Sequence, residues 1–189
     1  MDWDMLRQEV NQCQKCKLAK TRTNAVFGVG NQNADILFIG EGPGKNEDEQ
    51  GEPFVGRAGQ LLDKMLLAAG FSRKENIYIA NMVKCRPPEN RDPERDEVEA
   101  CIGYLRTQTR LLAPKIIVCL GRVAAQSIIS PDFKVTKQHG EFTERAGSYL
   151  MGTFHPAALL RYPANKEATF ADFLKARDFL AELNAKQGE

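Results

Sequence analysis

Four cysteines and three polar residues carry the chemistry that this sequence can support. Cys13 and Cys16 form a C-x2-C pair, and Cys85 and Cys101 follow much later, in polar segments. Thiolates in this pattern bind zinc or an iron–sulfur cluster, and spacing alone does not choose between them. Disulfides are disfavoured in an intracellular chain. A redox dithiol with two strays, or four unrelated thiols, is the plainer alternative. Cys119 lies in Lys115-Ile116-Ile117-Val118-Cys119-Leu120-Gly121 and reads as a core thiol on a buried strand.

The polar candidates are Glu41 in Gly40-Glu41-Gly42-Pro43-Gly44, Asn81 at the end of an apolar run, and His155 ahead of Pro156. A carboxylate can take a proton, an amide offers both donor and acceptor to a ligand edge, and an imidazole can donate to a developing anion. Each also has an ordinary reading. The glycine-rich segment is neither a Walker loop nor G-x-G-x-x-G and suits a tight turn. Asn81 suits a strand-end cap. His155, one of 2 histidines, suits a satisfied structural histidine.

What lifts the chemical reading is the order of the elements that must hold these groups. Apolar runs at Ala34–Gly40, Asn76–Val83, Ile116–Leu120 and Ser148–Phe154 read as four buried strands. Between and around them, helical periodicity covers residues 3–12, 59–69, 94–112, 121–129 and about 166–183. Gly70 suits a helix C′ position. Glu41 to Gly59 reads as a functional loop, and three prolines hold Lys84–Pro93 out of regular structure. Strands alternating with helices imply one α/β domain, a central, mainly parallel four-stranded sheet covered on both faces, with a cysteine-stapled corner. Ligands of such sheets sit beyond the carboxyl ends of the strands. Glu41, Asn81 and His155 all fall there.

Composition sets the outer bounds. A chain of 189 residues, 42% hydrophobic and 27% charged, suits one globular domain spanning residues 1–189. No stretch reaches membrane-span length, and Met1-Asp2-Trp3-Asp4-Met5 lacks an apolar signal region, so a cytoplasmic protein is expected. The formal charge of +1 does not advertise nucleic-acid binding. A compact site can still gather its cations on one face.

The motifs, taken in order, resemble the family 4 uracil-DNA glycosylases, the iron–sulfur branch of the uracil-DNA glycosylase superfamily. The residues that carry the resemblance are Gly40-Glu41-Gly42-Pro43-Gly44 and Gly51-Glu52-Pro53-Phe54-Val55-Gly56-Arg57-Ala58-Gly59-Gln60-Leu61-Leu62. They continue in Asn81-Met82-Val83-Lys84-Cys85-Arg86-Pro87-Pro88 and His155-Pro156-Ala157-Ala158-Leu159-Leu160-Arg161. The match runs from Cys13 to Arg161. It implies a three-layer α/β/α sandwich, a [4Fe–4S] cluster on Cys13, Cys16, Cys85 and Cys101, and hydrolysis of uracil from DNA; single- or double-stranded DNA is the expected partner and a monomer the expected state.

By the same resemblance Glu41 activates water and His155 stabilises the leaving base. Phe54 stacks on the base, Asn81 reads its edge, and Gly42 lies against it. Glu47 supplies bulk near C5 or shares the water's activation, although a solvated acidic run is the simpler explanation. Leu159, Leu160 and Arg161 enter the DNA, and Arg86 and Arg91 meet phosphates; exposed leucines at a helix start and idle surface arginines are the bland counterparts. A related subgroup becomes covalently linked to DNA through a histidine after the third cysteine, and this sequence has none there. Two other classes stay open: an iron–sulfur electron-transfer or redox-sensing protein, and a catalytically silent DNA-binding module.

Overall fold

The computed structural model describes residues 1–187. Its strands are β1 (Val29–Gly30), β2 (Ile36–Gly40), β3 (Tyr78–Asn81), β4 (Ile116–Leu120), β5 (Phe142–Arg145) and β6 (Ser148–Thr153). They form one sheet of order β1-β3-β2-β4-β6-β5. The four expected strands are the parallel centre, with β2 between β3 and β4, and β6 beyond β4. Two short antiparallel edges, β1 and β5, were not expected. β1 has only 2 residues, and β5 is mostly exposed, so neither carries an apolar run. Ala146 and Gly147, both at positive φ, make the tight turn from β5 to β6.

The helices are α1 (Trp3–Gln12), α2 (Lys45–Gln50), α3 (Arg57–Ala68), α4 (Arg95–Leu112), α5 (Arg122–Ile128), α6 (Val135–Gln138), α7 (Pro156–Arg161) and α8 (Lys166–Gln187). Side chains alternate across each strand, and this divides the core in two. Leu37, Ile39, Ile117 and Cys119 face Leu105 of α4 and Ala124 and Ala125 of α5. Ile36, Phe38, Ile116 and Val118 face Leu62 and Leu66 of α3 and Phe173 of α8. Both faces of β2 and β4 are therefore dry, which is why they read as unbroken apolar runs rather than as alternation. Phe38 meets Phe71 and Phe173 edge-on, each at 5.8 Å. Truncating it to alanine would cost roughly 3–5 kcal/mol.

A third cluster, Leu6, Val10, Phe27, Val83, Cys101 and Tyr104, ties α1 to α4 at one corner. The α4 start is fastened by a capping box between Glu94 and Glu97. Among the described residues no helix is long and apolar enough to cross a membrane.

Candidate active site

The chain leaves β2 for β3 on one side and later places β4 on the other, so the crevice at the carboxyl end of β2 is the sheet's switch point. Glu41 follows β2 directly, Asn81 ends β3, and His155 lies just beyond β6. All three line one cleft of about 440 Å³, together with Gly42, Glu47, Phe54 and Arg161. Chain-distant residues thus converge because each closes a strand of the same parallel sheet.

The cleft floor is built around two rings, Phe54 and His155. Phe54 is 5% exposed and its ring lies 5.6 Å from that of His155. Its backbone takes the left-handed region at φ 53°, a strained setting for an aromatic residue. Three features hold it there. Arg73 donates to the carbonyls of Pro53 and Phe54 at 2.6 and 2.8 Å. Glu47 Oε1 accepts from the N–H groups of Val55 and Gly56, both at 2.9 Å. Gly59 passes so near that a Cβ would lie 2.0 Å from the Phe54 carbonyl.

Asn81 is 2% exposed, and its Oδ1 is buried with no hydrogen-bond partner. A buried acceptor left unmatched costs about 1–3 kcal/mol, which makes this oxygen a candidate acceptor for a ligand in the cleft. A Cβ on Gly40 would stand 2.4 Å from this oxygen and 2.6 Å from the Phe54 ring. Glycine there is what lets the amide and the ring share the cleft floor.

His155 caps α7, its Nδ1 accepting from the Ala157 N–H at 3.0 Å. That bond leaves the proton on Nε2. Burial pushes the imidazole down to about 4, only partly opposed by the charge of Glu47. The ring is therefore a neutral donor at ordinary pH. Gly121, at φ 95°, admits it; a Cβ there would meet the His155 Cβ at 2.8 Å.

Glu41 behaves in the opposite way. Burial pushes its carboxyl up to about 7, assisted by the charge and hydrogen bonding of Asp92 and opposed by Arg122. Asp92 is itself held by Arg122 Nη2 at 2.9 Å. Asp92 was not among the residues expected at the site, and it becomes a cleft residue because the proline-rich loop brings Pro87, Asn90, Arg91 and Asp92 into the same lining as Glu41. The segment Glu41 to Gly59, read as a functional loop, contains α2, a short helix without an apolar stripe, which carries Glu47.

The four thiols lie around a separate cavity with Val10, Leu18, Val83 and Tyr104. Cys85 and Cys101 are 7% and 8% exposed. Among the described residues no group of three His, Cys, Asp or Glu side chains is gathered to hold a single metal ion. Four thiols on one cavity are a donor set that fits a metal centre or an iron–sulfur group. Donors already face the sulfurs: Arg22 reaches Cys85 Sγ at 3.1 Å, and the Lys84 N–H reaches Cys101 Sγ at 3.2 Å. Cys119 stands apart in the core.

Against this geometry, a family model described as the uracil DNA glycosylase superfamily matches residues 27–181. The chain belongs to the uracil-DNA glycosylase superfamily. Within the superfamily it is 47% identical to the Type-4 uracil-DNA glycosylase of Archaeoglobus fulgidus over 180 residues, 91% of this chain and 90% of the relative. The Type-4 enzyme of Saccharolobus solfataricus is 44% identical over 186 residues, covering 94% and 86%. A Type-5 uracil-DNA glycosylase of Pyrobaculum aerophilum is 31% identical over 146 residues, covering 69% and 64%. The type-4 resemblance read from the motifs therefore holds over nearly the whole chain.

Not every expected contact of this superfamily member is free to act. Leu159 is 0% exposed, packed inward from α7, so it is not available to enter DNA as expected. On a helix, neighbours point about 100° apart, so Leu160 faces outward at 38% exposure, and Arg161 is exposed beside it at the cleft edge. Arg86 is half-buried and donates to Asn90 Oδ1 at 2.7 Å. Arg91 is committed to a two-pronged pair with Glu97, at 2.9 and 2.6 Å, and serves to pin the loop to α4. Lys45 and Arg57 join Arg161 on the cleft wall, cations that a balanced composition concealed.

Proposed function

We propose that this protein removes uracil from DNA by hydrolysing the bond between the base and its deoxyribose, leaving an abasic site. The observation that carries the reading is the buried, unpartnered Oδ1 of Asn81 beside the Phe54 ring. Uracil offers an N3–H for that oxygen and an O4 to accept from the same amide. Cytosine presents a bare ring nitrogen and an amino group, the reverse pattern. Thymine adds a C5 methyl, and Glu47, locked by two backbone N–H groups, is the wall against it.

A stacked base is beyond the reach of these groups, so the nucleotide is extruded or taken single-stranded. Leu160 fills the vacated stack, Arg161 meets phosphates, and Arg86 does so with its terminal nitrogens while Asn90 holds its Nε. Phe54 then stacks on the base, typically worth ~1–3 kcal/mol whatever its identity, with Gly42 keeping the wall beside it low. As the glycosidic bond breaks, its electron pair moves to the uracil ring and the sugar becomes cationic. His155 Nε2–H donates to O2 of the departing anion. One such donor is worth ~2.7–4 kcal/mol in the barrier. Glu41 orients the water that attacks C1′ and takes its proton, and its charge favours the cationic sugar.

Cys13, Cys16, Cys85 and Cys101 hold a [4Fe–4S] cluster in this reading. Burial raises Cys85 and pushes Cys101 up to about 11, and the four would bind such a group as thiolates, with the positive charge of the iron offsetting that cost. The cluster supplies a staple between the N-terminal segment and α4, and no step of the hydrolysis needs its electrons. Residues 1–189 act as one domain, in the cytoplasm, as a monomer. In an assay of uracil release from a single-stranded oligonucleotide, Asn81→Ala should lose about 100-fold in kcat/KM, the scale of a lost orienting contact. Wild-type rates in that variant would overturn the reading.

A further inference from the structure

Lys84 sits between the base-reading residue and the first deep thiol, and is 1% exposed. Lysines are almost never fully buried unless paired. Its hydrogen-bond partners are uncharged: Nζ donates to the Asn81 carbonyl at 3.0 Å and to Gln108 Oε1 at 2.6 Å. Gln108 is itself buried and turned into place by donating to the Phe27 carbonyl at 2.8 Å. The sulfurs of Cys85 and Cys101 line the thiol cavity, and Lys84 shares that lining with them. Its own N–H donates to Cys101 Sγ at 3.2 Å.

We propose that Lys84 is a positioning residue that couples the thiol cavity to the base-reading amide of Asn81. The inference rests on the uracil-reading role given to Asn81 above. A charged donor on the Asn81 carbonyl fixes that peptide plane, and with it the direction in which the Asn81 side chain leaves the backbone. The ammonium needs a counter-charge where water is excluded. A thiolate-bound cluster carries net negative charge and supplies it without a buried carboxylate. Loss of the cluster strips that support, so base reading deteriorates along with stability.

The test is a double-mutant cycle on cluster-loaded protein, with Lys84→Met, Asn81→Ala and the pair. Lys84→Met keeps the apolar stem and removes the charge and its hydrogen bonds. It should lower kcat/KM for uracil release about tenfold, the usual scale for a hydrogen bond to a charged group. In the Asn81→Ala background the further loss should be under about twofold, because Lys84 acts through Asn81. Voltammetry should show a more negative cluster potential in Lys84→Met, as removal of a cation beside the thiol cavity requires, while the cycle shows that the activity loss passes through Asn81. Losses that multiply in full, or an unchanged potential, would overturn the proposal. If Lys84→Met does not fold with its cluster, Lys84→Gln goes through the same cycle with the same criteria. Wild-type protein that releases no uracil would instead sink the glycosylase reading, a failure visible before any variant is made.

Discussion

His155 and Glu41 face one cleft with their protonation tuned in opposite directions, and the same burial does both. Desolvation penalises charge, so it lowers the imidazole and raises the carboxyl. With His155 at about 4, the imidazole stays neutral over the working range, while Glu41 at about 7 gains its charge near neutrality. kcat/KM should therefore climb through about pH 7 and level off above it, and Glu41→Gln should abolish the climb. A flat profile in the wild type would contradict Glu41 as the base. Stability carries the opposite sign. A carboxyl whose folded value lies above its unfolded one stabilises fully below the unfolded value, and that contribution is lost as pH rises through about 7. At pH 8 Glu41→Gln should gain about 1 kcal/mol after allowance for solvent screening. A melting scan would show this as a rise of roughly 2–4 °C. At this scale the sequence was informative for Glu41, Asn81, Phe54 and His155, whose surrounding motifs are distinctive. It concealed Asp92, whose place in the cleft depends on a course of the proline-rich loop that no local pattern records, and it could not tell that Leu159 points inward while Leu160 points out.

The elements that position these residues depend on glycines at close approaches. Gly40→Ala would drive a methyl into both Asn81 Oδ1 and the Phe54 ring. It should cut uracil release by about 100-fold or more, yet leave the sheet intact, since the clash falls on side chains at the cleft floor. Gly59→Ala meets Phe54 backbone instead, so melting temperature should fall with activity. Equal melting losses in the two variants would contradict this division. The central strands were legible because both faces of each are buried, and α3, α4 and α8 because each carries an apolar face to the sheet. β1 and β5 escaped because they are short or wet, and α2 because its Lys45-Asn46-Glu47-Asp48-Glu49-Gln50 has no apolar stripe at all. Short polar helices gain their stability from tertiary context, and α2 gains it from Asp48, whose Oδ1 accepts from the Thr23 and Asn24 N–H groups.

Across the whole molecule, two cavities divide the work. One gathers the strand ends into a cleft, and the other gathers four thiols into a corner that binds α1 to α4. The corner is where a small sheet protein most needs a staple, because the N-terminal segment pairs with the sheet through nothing longer than β1. Cys101→Ser should lose the cluster absorbance and destabilise the fold by about 2–5 kcal/mol, on the scale of losing a covalent cross-link. Cys119→Ala should keep the absorbance. Loss of the cluster in both would contradict the assignment of ligands. Four cysteines in order and an α/β pattern were readable from the chain; the clustering of the thiols around one cavity, rather than two sites, required the fold.

The most direct test of the account is base release from single-stranded oligonucleotides carrying one uracil, thymine or cytosine at the same position, with cluster-loaded protein and His155→Ala alongside. Release should be confined to uracil and should fall by about 100-fold or more in the variant. Release of thymine or cytosine at comparable rates would contradict the pocket derived from Asn81, Phe54 and Glu47, and no release from any strand would contradict the glycosylase itself.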